Sequence, residues 1–375
     1  MSNRKNSLPG LYIHIPFCKS KCLYCDFYSL TDLSLLPAWL EALQQEVLLY
    51  KDTFAPFDSL YLGGGTPSLL DGFQLAAMLD SLRRHFSFYP DTEITLEANP
   101  DDVTREKLHL WRDLGVNRLS MGVQSFAEPD LIFLGRRHTA RQTEQALEWV
   151  RIAGFTNLGV DLIYGLPGQS AGDWRKNLER ALEFRPEHLS CYQLTLETGT
   201  PLGARKAQGR IKPLPEEAER ELFLLTSRFL EEHGYIHYEI SNFARGEAYY
   251  SRNNRKYWRH VPYLGLGPAA HSFQGGKRWW NHRSLDRYCQ ALSDGVAPVA
   301  GRETLSAGQL HLESLYLGLR TKEGVDLNLI RPQPRGDTML GELQEAGLIK
   351  LHHGRAALTR EGFLVADRLP LWFSD

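Results

Sequence analysis

Short apolar runs with β-forming residues alternate with helical apolar repeats over the first two thirds of the chain. In segments such as Thr139–Ala153, apolar residues recur every third or fourth position, which is the spacing of one helix face. The pattern predicts strands at Tyr12–Ile15, Ser59–Leu62, Glu93–Ala98, Arg118–Gln124, Leu158–Ile163 and His188–Leu194. It predicts helices at 39–50, Leu75–Phe86, Thr104–Leu114, Thr139–Ala153 and Asp173–Phe184. Strands that alternate with helices favour a parallel sheet, so we expect an α/β fold in which residues 1–200 form an open (β/α)6 barrel.

The alternation ends after Gly199, and residues 201–301 are expected to extend the barrel. Pro201–Pro215 is rich in Gly, Pro and basic residues and predicts an irregular connection. Glu216–His233 has the period of an amphipathic helix, and Tyr235–Phe243 has the composition of a strand. A segment that mixes aromatic and basic residues follows, without the period of either element.

Residues 302–375 are expected to form a small winged-helix-like domain. Two helices, at Gln309–Leu319 and Met339–Ala346, precede two short strands and a final helix. From Glu303 to Asp375 there are 8 Lys and Arg against 10 Asp and Glu, and phosphate contacts need basic residues. We therefore expect a lid or docking domain and no nucleic-acid partner.

Composition narrows the functional classes. The 375 residues carry a formal net charge of −2, which gives no general attraction to nucleic acid or anionic lipid. No segment has the length of a membrane span or the apolar core of a secretory signal. Cys191 and Cys289 stand apart from the other cysteines and do not suggest a disulfide framework. These features predict a cytoplasmic protein with no membrane span.

Three of the five cysteines lie close together after the first predicted strand. Cys18, Cys22 and Cys25 have the spacing C-x3-C-x2-C, and soft thiolates select zinc, copper(I) or iron–sulfur clusters. Three thiolates can hold a [4Fe–4S] cluster and leave one iron open to an exchangeable ligand. A zinc knuckle with His14 as fourth ligand, or three unrelated thiols, are the alternatives that spacing alone leaves open.

Polar residues follow several predicted strands at what would be one rim of the barrel. The second strand runs into Gly63-Gly64-Gly65-Thr66, whose glycines allow the backbone to approach a ligand closely. Glu97, Gln124 and Asp161 lie in or at the ends of later apolar strands, where a polar side chain is costly unless a partner satisfies it. We expect these residues to form a ligand site.

The segment Y-I-H-I-P-F-C, the cysteine spacing and the G-G-G-T-P segment resemble the radical S-adenosylmethionine (SAM) superfamily. More narrowly, these motifs resemble the branch that contains oxygen-independent coproporphyrinogen III oxidases and HemW-type heme chaperones. The resemblance implies a [4Fe–4S] cluster on Cys18, Cys22 and Cys25, with SAM on its open iron. It implies SAM contacts at Tyr12, Gly64, Gly65, Thr66, Glu97, Gln124, Arg136 and Asp161.

Within this branch, the resemblance implies a heme chaperone that binds heme and transfers it to an acceptor protein. A reducing electron donor is a further expected partner. The alternative is the oxidase, which uses radical SAM chemistry to decarboxylate porphyrinogen propionates. The oxidase pattern has a further cysteine where this chain has Phe27, and a longer segment before the motif than the 17 residues that precede Cys18. Both departures favour the chaperone.

Chaperones of this type carry an H-N-x-x-Y-W segment whose histidine is the proposed heme contact. The matching residues begin with Asn253, and an amide is a poor ligand for heme iron. We therefore expect heme to be held by another axial ligand, and Asn253→His to tighten binding or shift the Soret band. The expected heme contacts are Asn254, Tyr257, Trp258, His260 and His271.

Overall fold

A computed structural model describes residues 8–54, 56–333 and 335–372 of the chain. Within these residues, twelve strands form one sheet in the order β12-β11-β10-β9-β1-β2-β3-β4-β5-β6-β8-β7. Strands β1 to β6 are parallel and lie in chain order, as predicted. Their bounds are β1 Gly10–Ile15, β2 Phe57–Gly64, β3 Phe88–Ala98, β4 Arg118–Gln124, β5 Leu158–Tyr164 and β6 His188–Gln193.

The pleat of β1 shows how the barrel separates core from cavity. Leu11, Ile13 and Ile15 are buried in the core, whereas Tyr12 and His14, which alternate with them, line the interior cavity. Successive side chains on a strand point to opposite faces, so an apolar run with polar insertions serves both surfaces. The same alternation explains why polar residues occur within otherwise apolar strands.

Helices cover the outside of this sheet. Trp39, Trp111 and Trp174, each from a different helix, are fully buried and contribute to the packing between helices and strands. Thr104 caps its helix by accepting a hydrogen bond from the Lys107 amide, which confirms the predicted start of that helix. The barrel helices are α1 Leu36–Tyr50, α2 Gly72–His85, α3 Arg105–Asp113, α4 Glu128–Leu134, α5 Ala140–Ile152 and α6 Ala171–Glu183.

The region after the sixth strand differs from the prediction in two places. Part of the expected irregular connection is a helix, α7 (Pro201–Ala207), because Thr200 caps it and Pro201 is suited to a first turn. The single strand expected at 235–243 is a tight hairpin of β7 (Ile236–Glu239) and β8 (Asn242–Ala244). The Glu239 carboxylate accepts hydrogen bonds from the Ser241 amide and the Asn242 side chain, which fixes the turn.

The rest of the extension adds strands to the other edge of the open sheet, next to β1. The predicted helix at Glu216–His233 is α8 (Glu216–Glu232). The aromatic and basic segment contains a short helix, α9 (Arg252–Trp258), which packs against the amino-terminal parts of β1 and β2. Strand β9 then pairs in parallel with β1. The remaining elements are β9 Tyr263–Leu266, β10 His271–Gln274, β11 Lys277–Asn281, α10 Leu285–Ser293 and β12 Val299–Thr304.

The C-terminal region contains a small three-stranded sheet flanked by helices, in the order β13-β15-β14. It contacts the β7–β8 hairpin: the Ile240 amide donates to Arg320 O and the Lys322 amide to Tyr238 O. Its bounds are α11 Ala307–Leu319, β13 Val325–Asp326, α12 Leu327–Ile330, α13 Gly336–Glu345, β14 Ile349–His352, β15 Arg355–Leu358, α14 Arg360–Phe363 and α15 Leu369–Trp372. In the described part of the chain, no helix is long and apolar enough to span a membrane.

Candidate cluster and ligand cavity

A cavity of about 1260 Å³ fills the interior of the barrel. All three motif cysteines line it, together with all eight residues that the resemblance assigned to SAM. Asn254, Tyr257 and His271 also line it. No described residue beyond Ala300 does, so the C-terminal domain contributes no side chain to the cavity wall, and the predicted lid or docking role stays a prediction.

The cysteines lie on the loop that follows β1. Backbone hydrogen bonds from Cys18 N to Leu30 O and from Leu30 N to Pro16 O tie the two ends of this loop together. The three thiols are free of disulfides, and burial raises the pKa of Cys18 and Cys25. Uncomplexed buried thiols therefore stay protonated, and a bound metal centre would supply the charge that stabilises the thiolates.

Polar neighbours orient the sulfur atoms. Thr66 Oγ1 lies 3.4 Å from Cys18 Sγ, and Arg136 Nη1 lies 3.2 Å from Cys22 Sγ. Arg136 also donates to the Gly122 carbonyl oxygen at 2.8 Å, which holds its guanidinium inside the cavity. Donors that face sulfur stabilise negative charge there, so this environment suits a thiolate-bound cluster.

His14 is not available as the fourth ligand of a zinc site. His14 Nε2 lies 2.8 Å from the Tyr28 carbonyl oxygen, and His14 Nδ1 lies 3.1 Å from the Tyr12 hydroxyl, so both ring nitrogens are already engaged. Among the described residues, no three His, Cys, Asp or Glu side chains converge closely enough to share one metal ion. The donor set of three thiols at one end of a large cavity fits a cluster better than a single ion.

The glycine segment at the end of β2 is required by close packing against the cysteine loop. Gly64 has a φ of 105°, and a Cβ there would lie 2.7 Å from the His14 ring. A Cβ on Gly65 would lie 2.6 Å from the Phe17 carbonyl oxygen. Side chains are excluded at both positions, which leaves backbone exposed to the cavity beside the cysteines.

Two carboxylates face this part of the cavity. Glu97 accepts hydrogen bonds from the Tyr61 hydroxyl at 2.7 Å and the Gly64 amide at 3.2 Å, and burial raises its pKa to about 7. Asp161 accepts from the Ser120 hydroxyl at 3.2 Å, and burial also raises its pKa. A cationic ligand between them would favour their charged forms, and SAM carries a sulfonium and an ammonium group.

Some site residues lacked a recognisable pattern in the sequence. Gln124 has a φ of 68° and lies at a register shift of β4, so the expected regular strand end is distorted toward the cavity. Asn99 donates from Nδ2 to Thr66 Oγ1 at 3.3 Å and accepts a hydrogen bond from Arg136. Its place two residues after Glu97 could have identified it. Arg118 and His188, which also line the cavity, are buried and had no such marker.

Only three of the five expected heme contacts, Asn254, Tyr257 and His271, line the cavity. Trp258 and His260 lie outside the cavity lining: Trp258 packs edge-on against Tyr238 at 5.8 Å between ring centroids. Both ring nitrogens of His260 have partners in the C-terminal domain, Glu313 at 3.2 Å and Ser314 at 3.3 Å.

Asn253 is also turned away from the cavity. It is 2% exposed, its side-chain amide donates to the Tyr257 hydroxyl at 3.1 Å, and it packs beside Gly10. The side chains that α9 presents to the cavity are Asn254 and Tyr257.

His271 lies at the cavity beside the cysteine loop. It begins β10, pairs in register with Trp280, and stacks on the Trp280 ring at 5.9 Å. Burial, followed by the Arg278 charge, lowers the pKa of His271, so the imidazole is neutral at pH 7. Nearby, Arg283 donates to the Asp26 carbonyl oxygen at 2.6 Å and joins this wall to the cysteine loop.

A buried carboxylate braces the wall that carries His271. Glu46, on α1, is fully buried and accepts three hydrogen bonds: from the Gly267 amide at 2.8 Å, the Asn281 side chain at 2.6 Å and the Tyr288 hydroxyl at 2.6 Å. These donors come from three different segments of the extension. Glu46 therefore ties the extension to the barrel directly behind the cavity wall.

A C-x3-C-x2-C loop beside two cavity-facing carboxylates, at the carboxyl ends of six parallel strands, defines a radical SAM type of protein. Comparison with known proteins agrees with this assignment to the radical SAM class. The Radical SAM superfamily profile matches residues 12–181, and the HemN C-terminal domain profile matches residues 305–365. The solved structure of Escherichia coli coproporphyrinogen III oxidase (HemN) is similar with a TM-score of 0.83 and 26% identity, over 98% of this chain and 90% of that one.

Curated relatives are similar over nearly the whole chain. Heme chaperone HemW of Mycobacterium tuberculosis is 36% identical, over 96% of this chain and 93% of the relative. Heme chaperone HemW of Bacillus subtilis is 33% identical, over 96% and 98%. The chain belongs to the HemW family within the radical SAM superfamily. The predicted fold class and family are confirmed, and the family implies a [4Fe–4S] cluster and SAM.

Proposed function

We propose that this protein is a heme chaperone that binds heme at the mouth of the barrel cavity and passes it to an acceptor protein. The observation that carries the proposal is His271, whose neutral imidazole lies at the cavity with no hydrogen-bond partner among the described residues. Neutral imidazole is the usual protein ligand of heme iron. The relatives' name of heme chaperone supports the same function.

The other histidines of the described cavity wall are less suited to this role. His14 uses both ring nitrogens, and His188 is buried with Nε2 2.7 Å from the Tyr238 hydroxyl. Trp280, stacked against His271, offers a ring face to a porphyrin. The exposed Arg283 side chain, which pairs with Asp26 at 3.4 Å, offers a cation to a propionate. Heme at this position would lie beside the cysteine loop.

The cluster and SAM have their proposed positions deeper along the same wall. Cys18, Cys22 and Cys25 would hold the cluster, which supplies a redox-active iron with one open position. Glu97 and Asp161 would face the cationic part of SAM, and Arg136 would bind its carboxylate while remaining close to Cys22. These residues would orient SAM and enclose it. A reducing electron donor and a cytoplasmic location stay predictions from the sequence.

Hemin titration of the anaerobically reconstituted protein tests the proposal. We expect saturation near one heme per chain, with a Soret spectrum that changes in His271→Ala and an affinity at least about tenfold lower, because an axial ligand is lost. His260→Ala is the matched control, since His260 lies outside the cavity lining and should leave the spectrum unchanged. An unchanged spectrum in His271→Ala would contradict the assignment.

A parallel assay separates the chaperone from the oxidase. Coproporphyrinogen III is incubated with the reconstituted, reduced protein and SAM, and decarboxylated product is measured. We expect heme binding without decarboxylation. Product formation over many turnovers would support the oxidase as the function, whatever the result of the hemin titration.

A further inference from the structure

A second pocket, of about 260 Å³, lies at the amino-terminal end of the barrel, away from the cysteine loop. Its walls come from the starts of β2 and β3, the 247–250 turn and one face of α9. This face of the helix and the residue that follows it carry several basic side chains. The basic residues of the lining are Arg252, Arg255, Lys256 and Arg259.

Three of these four cations have carboxylate partners. Lys256 Nζ is 2.7 Å from Asp58, in a buried pair. Arg252 is 3.6 Å from Asp91, and Arg259 is 3.0 Å from Glu323, which lies outside the pocket lining. Glu247 also lines the pocket, so the formal charge of the lining is +1 and not the +4 of its basic residues alone.

Arg255 is the exception. It has no carboxylate partner among the described residues, and its guanidinium lies over the Tyr250 ring at 5.5 Å. Burial, followed by the neighbouring Arg259 charge, lowers the pKa of Arg255, and the Glu323 charge offsets this only in part. An anion in the pocket would relieve both effects.

Tyr250 provides an independent indication of a ligand. The residue is 3% exposed, stacked on Tyr238 at 4.0 Å, and its hydroxyl is buried without a hydrogen-bond partner among the described residues. A buried polar group without a partner is costly and requires an explanation. Tyr250 lines the same pocket as Arg255, so one ligand can satisfy both groups.

We propose that this pocket binds a phosphate group, either as free phosphate or as the phosphate of a small molecule. Arg255 would contribute a bidentate guanidinium and Tyr250 a hydroxyl donor. Donors from several directions suit a tetrahedral oxyanion. The volume admits a phosphate with a small substituent but is too small to enclose a porphyrin. The site is separate from the cavity proposed for heme.

Calorimetric titration of the full-length protein with inorganic phosphate, and separately with AMP, tests the site. We expect one saturable site per chain for at least one of the two probes; tighter binding of AMP would identify an organic phosphate as the natural ligand. Arg255→Gln should weaken binding by about tenfold or more, since it removes a charge-assisted hydrogen bond. Tyr250→Phe, which removes only the hydroxyl, should weaken it by about two- to tenfold.

Arg228→Gln is the control, because Arg228 is an exposed arginine on α8 outside this pocket. It should bind both probes like the unaltered protein. The absence of saturable binding for both probes would overturn the proposal, as would unaltered affinity in Tyr250→Phe together with Arg255→Gln. Hemin binding should stay unchanged in all three variants, so failure here is distinguishable from failure of the proposed heme site.

Discussion

Replacing the buried carboxyl group of Glu46 by an amide should change how the stability of the protein depends on pH. Glu46 is fully buried, and burial raises its pKa from 4.5 to about 7 in spite of three hydrogen bonds. The folded protein therefore retains a proton that the unfolded chain has released between these two values. Its free energy of unfolding must fall as the pH rises through this interval.

The size of the effect follows from the shift. Linkage between pKa values of 4.5 and about 7 gives a loss of about 2 to 3 kcal/mol between pH 5 and pH 8 that comes from Glu46 alone. Glu46→Gln cannot titrate, so this loss disappears. The amide also turns a donor toward one of the groups that now donate to Glu46, which costs about 1–3 kcal/mol at every pH.

Urea denaturation of both proteins at several pH values between 5 and 8 measures the difference directly. We expect the stability deficit of Glu46→Gln to be large at pH 5 and to shrink by about 2 to 3 kcal/mol toward pH 8. Gln290→Ala, on the exposed side of α10, serves as a variant with no buried titratable group involved. Two stability curves that stay parallel over the whole range would refute the assigned ionisation of Glu46.

Three further predictions address the cluster, SAM and the family heme segment. Cys18→Ser should lose iron and sulfide after anaerobic reconstitution, whereas Cys289→Ser should retain both; full iron content in Cys18→Ser would exclude it as a ligand. Asp161→Ala should weaken SAM binding by about two- to tenfold, measured by calorimetry, with cluster content intact. Asn253→His should leave heme affinity unchanged and lower stability by about 1–3 kcal/mol, because residue 253 is buried away from the cavity. Tighter heme binding in that variant would contradict the position of this side chain.

The parallel barrel could be predicted from the sequence because its evidence is local. Each strand is a short apolar run, and each helix repeats its apolar residues at fixed spacing, as in Ala140–Ile152. The β7–β8 hairpin was missed because its turn depends on the Glu239 side chain, a contact that periodicity does not encode. The helix at Pro201–Ala207 was missed because its Gly and Pro content suggested a loop, although Pro is acceptable in a first turn.

The candidate site likewise contains residues that the sequence could identify and residues that it could not. The cysteines and the Gly64-Gly65 segment are contiguous motifs and could be found directly. The orientation of α9 could not, because it depends on which face of the helix packs against β1 and β2. For that reason the sequence suggested Trp258 and His260 as heme contacts together with Asn254 and Tyr257, whereas only the last two line the cavity.

The attachment of the C-terminal domain limits how freely this domain could be exchanged in evolution or by engineering. Arg320 accepts a backbone hydrogen bond from Ile240 and pairs through its side chain with Glu239 at 3.1 Å, and the Lys322 amide donates to Tyr238. The domain thus completes the hydrogen bonding of the hairpin that ends the barrel sheet. A replacement domain would have to supply equivalent backbone partners at the same register, because without them the Ile240 amide and the Tyr238 carbonyl oxygen would lose these partners.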